Sequence, residues 1–155
     1  MSLNANHEQQ SLHLQRRLGR APTMTADRMA EVIARACTRF PAPQTNTKTR
    51  IAHLIRSGAF TDAALALLEL ELPQWKLRRL LFADGEWHCS LSRQPSLPVE
   101  FDEMAEAAHE ILPLAILSAF LEARRCTVRM NGGVARSALP VRPAQGCVVC
   151  CDNFA

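Results

Sequence analysis

Tyrosine is absent from the 155-residue chain, and aromatics reach only 5%, as six Phe and two Trp. A core built from this sequence must rest on Leu, Ala and Ile rather than on stacked rings. Glycine is scarce as well. The six glycines are dispersed, which excludes a glycine-rich phosphate loop, and no Gly-x-Ser-x-Gly nucleophile elbow occurs. His53 and His109 each lack the second histidine, four residues on, that a metalloprotease helix requires. Long apolar runs are also missing. The longest, Ile111 to Leu121 with Ser118 inside, is too short to cross a bilayer. Residues 1–20 hold only the scattered Leu3, Leu12, Leu14 and Leu18, where a secretory signal needs a continuous apolar stretch. These absences predict a cytoplasmic protein with no membrane contact, whose six cysteines are free thiols.

What is present is ordinary globular composition, with 48% hydrophobic and 21% charged residues. This length suits one domain. The net charge of +3 is too small to argue for nucleic acid, but its distribution is uneven: +5 over residues 1–50, −1 over 51–100, −3 over 101–125 and +2 over 126–155. The pattern predicts a flexible basic arm over 1–22, a single globular domain over 23–125 and a loosely ordered tail over 126–155.

Periodicity predicts the elements. Thr25 is placed to cap a helix running to about Arg39, whose apolar face is Met29, Val32, Ile33, Ala36, Cys37 and Phe40. Pro41 to Thr47 reads as a linker. A short helix over about Lys48–Ser57 is closed by Gly58, and Thr61 is expected to cap the next helix, which Pro73 stops. Asp84-Gly85 between two apolar runs is a strong hairpin signal, and it pairs Phe82 with Trp87, Leu80 with Cys89, Leu81 with His88 and Arg79 with Ser90. The same register puts Arg78 opposite Leu91 and Leu77 opposite Ser92. A long helix over about Val99–Arg125 is then expected, kinked or split at Pro113 and covering the Phe82–Trp87 face, with one short strand at Thr127–Met130. The resulting fold class is α+β, with three to four helices packed on one face of a small antiparallel β-hairpin or sheet.

Few constellations carry chemistry. Cys147, Cys150 and Cys151 contain the CxxC spacing, yet only Cys126 lies near enough in sequence to complete a metal site, so they are weak metal candidates and no cofactor is expected. Cys89 falls on the apolar hairpin face and reads as a core thiol rather than a nucleophile. Helix, turn, helix and hairpin over residues 48–93 follow the order of a winged helix. The would-be recognition helix, Asp62 to Leu72, has no Lys, Arg, Asn or Gln and carries Asp62, Glu69 and Glu71, which disfavours nucleic acid as a partner.

The segments Glu71-Leu-Pro-Gln-Trp-Lys-Leu-Arg-Arg79, Gly85-Glu-Trp-His-Cys-Ser-Leu-Ser-Arg-Gln-Pro95 and Leu112-Pro-Leu-Ala-Ile116 resemble a family of small, uncharacterised bacterial proteins, over about residues 48–125. The resemblance implies a bacterial cytosolic setting and assigns no activity and no site. The residues themselves favour a small non-catalytic binding or regulatory module engaging a protein partner or a second copy of itself. A winged-helix-like nucleic-acid regulator is the alternative, and a thiol or metal protein ranks behind it. The expected contact residues are Trp75, Arg78, Arg79, Leu81, His88 and Ser90.

Overall fold

A computed structural model describes residues 2–40 and 46–133 of the chain. Its helices are α1 (Ser2–Gly19), α2 (Ala26–Ala36), α3 (Asn46–Arg56), α4 (Phe60–Glu71) and α5 (Leu112–Gly133). Its strands are β1 (Lys76–Ala83), β2 (Glu86–Ser92) and β3 (Met104–His109), joined in the antiparallel order β1-β2-β3, with a 3₁₀ turn at Val99–Phe101. The class is α+β, with five helices among the described residues where three or four were expected.

Asp84 and Gly85 take φ of 55° and 84°, the left-handed pair that a two-residue type I′ turn demands. The turn fixes the register. Phe82 faces Trp87, Leu81 faces His88, Leu80 faces Cys89 and Arg79 faces Ser90, as expected. Beyond Arg79 a bulge at Arg78 shifts the ladder by one residue, so that Leu77, not Arg78, lies opposite Leu91.

The long helix expected from Val99 does not form. Its first half is instead β3, which pairs with β2 so that Trp87 faces His109, Cys89 faces Ala107 and Ser90 faces Glu106. Met-Ala-Glu-Ala-Ala favours helix in isolation, but β2 without β3 would leave a row of unpaired N–H and C=O groups; tertiary pairing overrides local propensity. Pro113 lies in the first turn of α5, where its missing N–H costs nothing, and therefore starts a helix rather than kinking one. The His109 Nδ1 accepts the Ile111 N–H at 2.9 Å and secures the passage from strand to helix. Thr127–Met130, expected as a strand, belongs to α5.

The second half of the expected helix does form the centre of the core. Leu114, Ala115, Ile116, Leu117, Ala119, Phe120 and Leu121 are all buried, and α5 packs against β2, β3, α1 and α4. Residues 2–19 are helical, correcting the expected flexible arm. Leu14 and Leu18, one turn apart, are 1% and 2% exposed and belong to the common core. Among the described residues no helix is long and apolar enough to cross a membrane.

Two helix ends also differ from expectation. Thr25 caps α2 by accepting the Arg28 N–H at 3.3 Å, but the helix stops at Ala36 rather than near Arg39. The cause is Glu71. Its buried carboxylate accepts the backbone N–H groups of Thr38, Arg39 and Phe40 at 2.9, 2.8 and 2.6 Å, which pulls the chain out of helical geometry. Gly58 closes α3 with φ of 76°, but α4 then begins at Phe60 with Ala59 at its N-cap, so Thr61 lies inside the helix and caps nothing.

Candidate functional site on the outer face of the hairpin

Alternation along the strands gives the sheet two chemically different faces. Cys89, Leu91 and Ala105 are buried on the face that meets α5. The outer face carries the cross-strand rows Leu81–His88–Ala108 and Arg79–Ser90–Glu106. These residues line a shallow groove of about 420 Å³. Ser90 is buried, and its hydroxyl donates to Glu106 Oε1 at 2.8 Å rather than to His88. The serine therefore anchors β3 to β2, and no serine–histidine nucleophile pair is assembled.

Of the six residues expected at a contact surface, the structure brings together Arg79, Leu81, His88 and Ser90. Trp75 and Arg78 are corrected. Trp75 is 1% exposed, and its Nε1–H donates to Thr127 Oγ1 at 3.0 Å, so it seals the junction of the α4–β1 turn with α5. Arg78 is engaged by the Asp102 carboxylate and the Leu97 carbonyl. Asp102 is the centre of that clasp, accepting also from the Ser92 hydroxyl and from the Gln94 N–H at 3.0 Å. Burial raises its pKa, but the hydrogen bonds from Ser92, Gln94 and Arg78 outweigh this and hold the group below its ordinary value. Glu106 and Ala108 of the groove were not foreseen, because their strand reads as helix. Pro113 was the available signal: a proline at the start of an apolar run marks a helix beginning there.

The hairpin extends past the helical support. No substantial contact joins α5 to β1, and the expected cover over Phe82 and Trp87 is incomplete: Phe82 is 54% exposed although its ring lies 5.1 Å from that of Trp87. Leu77 and Leu81 of the same strand are also exposed. β1 thus has one free edge bearing Lys76 and Arg79, neither of which has an ion pair among the described residues.

The described thiols are of the structural kind. Burial pushes Cys89 up to about 11. Cys37 is pushed up to about 12, first by burial and then by the nearby Glu71 charge. Cys37, Cys89 and Cys126 form no disulfide, and no group of His, Cys, Asp or Glu among the described residues is placed to hold a metal ion. Cys147, Cys150 and Cys151 lie outside the described residues. No protein-family model, no curated protein and no solved structure matches the chain.

Proposed function

We propose that the chain is a small, non-catalytic binding module of the bacterial cytoplasm that captures an extended, acidic segment of a protein partner along β1. The observation that supports this is the state of that strand: paired on one side only, unbacked by α5, and exposing Leu77, Leu81 and Phe82 beside Lys76 and Arg79. A partner strand added to such an edge gains main-chain hydrogen bonds, while alternate side chains meet Leu81 and the groove. Charge selects an acidic segment, because β1 carries no carboxylate and its Lys76 and Arg79 have no ion pair among the described residues, Arg78 being neutralised by Asp102. The same charges and the bulge at Arg78 oppose a second copy, since antiparallel self-pairing would gather four unpaired cations on one ribbon.

The test is selection from a displayed library of unstructured twelve-residue peptides, using the full chain as bait. Enrichment of alternating acidic and apolar peptides is expected, with binding reduced at least tenfold by Arg79→Glu and by Leu81→Asn. N-methylation of alternate peptide bonds in a selected sequence should abolish binding. Selection of no such motif, or indifference to both substitutions, overturns the proposal. A concentration-dependent dimer in native mass spectrometry, lost in Leu81→Asn, would replace the peptide by a second copy. Salt-sensitive binding of duplex DNA that requires Arg79 would instead favour the nucleic-acid alternative.

A further inference from the structure

We infer that a second site, the cavity between α1, α2 and α5, binds a small organic anion: an apolar body carrying a carboxylate or phosphate-type head. The cavity measures about 400 Å³ and shares no residue with the hairpin groove. That volume lies within the range of small-ligand pockets and is too small for a folded partner element. Its lining combines Leu14 and Ala36, both buried in the core, with four arginines: Arg35, Arg124, Arg125 and Arg129. An apolar wall beside convergent cations is the lining that an amphipathic anion requires.

Most local carboxylates are already committed. Glu31 is shared by Arg17 and by Arg35, the latter at 3.4 Å, Glu122 holds Arg125 at 2.7 Å, and Glu8 holds Arg129 at 3.5 Å. Five arginines therefore face three acids. Arg124 is the one left over, half-buried and without a carboxylate within 4.0 Å among the described residues.

Arg125 supplies the second, independent observation. Its Nη1 donates to Glu122 and to Gln15 at 2.7 and 3.3 Å, while its buried Nε–H has no acceptor among the described residues. The Nε–Nη2 edge of a guanidinium is a two-donor fork matched to a carboxylate or phosphate, and an unsatisfied buried donor is costly until an acceptor arrives. An anionic head at Arg124 would neutralise the uncommitted charge, leaving the apolar body against Leu14 and Ala36; Arg125, whose Nε is closed to solvent, would meet the head only once its side chain turns toward the cavity. A neutral hydroxyl accepts a hydrogen bond but leaves the Arg124 charge uncompensated.

Isothermal titration of the full chain with decanoate, decyl phosphate, decanol and inorganic phosphate tests this. One saturable site is expected for decanoate or decyl phosphate, with at least tenfold weaker binding of decanol and of inorganic phosphate. The tighter of the two anions identifies the head group. Arg124→Gln should weaken the better anion about tenfold, the loss expected for one charge-assisted contact, and Arg124→Lys should restore part of it. Arg79→Gln, on the hairpin, should change nothing. Near-ultraviolet circular dichroism verifies that each variant is folded. Absence of a saturable site, equal binding of decanol, or unchanged affinity in folded Arg124→Gln overturns the inference.

Discussion

Removing the Glu71 carboxylate tests the reasoning about the α2 terminus most directly. Three consecutive N–H groups, of Thr38, Arg39 and Phe40, converge on it at 2.6 to 2.9 Å, and no cation within ion-pair distance shares the task among the described residues. Hydrogen bonds to a charged acceptor are worth about 1.5–3 kcal/mol each when fully protected. Thr38 and Arg39 are exposed, so water recovers part of what is lost, and the low end applies. For Glu71→Ala three bonds at the low end sum to about 4.5 kcal/mol, and rehydration of the two exposed N–H groups brings the expected loss to about 3–4 kcal/mol. Glu71→Gln keeps one acceptor oxygen but turns an amide NH₂ toward the remaining donors, so about 2 kcal/mol is expected. Urea denaturation followed by tryptophan emission reads both values, with an unchanged m-value showing that the unfolded state is not the cause. In a domain of this size the alanine variant should melt roughly 6–16 °C lower. A Glu71→Ala variant within about 0.5 kcal/mol of the parent would refute the account, since that is the ordinary range of surface substitutions.

Three further outcomes are expected. Gly85→Ala should cost about 1 kcal/mol in the same assay, because a Cβ there meets no atom within 4 Å and the penalty is wholly that of a φ of 84°; a neutral result would mean that the turn relaxes. Asp102 has a lowered pKa in the folded chain, so its contribution is fully present above the ordinary carboxylate value of 3.8 and is lost as pH falls below it. Asp102→Asn should therefore be less stable than the parent at pH 7, with the difference narrowing in acid denaturation at pH 3; a constant difference would contradict the assignment. Burial raises the thiols of Cys37 and Cys89, so peptide mapping after brief iodoacetamide treatment at pH 8 should find both unmodified in the folded chain and modified in urea. Rapid native labelling of either would disprove their core placement.

The parts of the fold legible in the sequence were those set by local chemistry. Asp84-Gly85 dictates its turn whatever surrounds it, and the turn carries the register back to Arg79. Thr25 and Gly58 act within a few residues of themselves, and both are where the pattern puts them. The errors arose where distant partners decide. Met104–His109 becomes a strand because β2 offers an edge, and the N-terminal helix buries only Leu14 and Leu18 in the core because α5 supplies the surface they meet. Four of the six expected contact residues lie together because the local register alone fixes their face. Trp75 depends on Thr127, fifty-two residues away, and Arg78 on Asp102, so no short window of sequence could have removed them from the set.

The structure separates the charges that the fold consumes from those it leaves available, and this separation is what gives the two proposed sites their meaning. Glu71, Asp102 and Arg78 are spent on loops: one holds the exit from α2, and the other two clasp the chain that returns from β2 to β3. Replacing any of these should change stability before it changes recognition. Lys76, Arg79 and Arg124 have no such employment among the described residues, although Arg124 is half-buried and Arg79 stands beside a groove. Neutralising them removes self-repulsion and loses no internal bond, so stability should hold or rise slightly. A charge whose removal leaves stability intact while abolishing binding belongs to a partner. By that criterion Arg79 and Arg124 can be tested independently, since the two sites share no lining residue and neither residue takes part in the clasps that hold the loops.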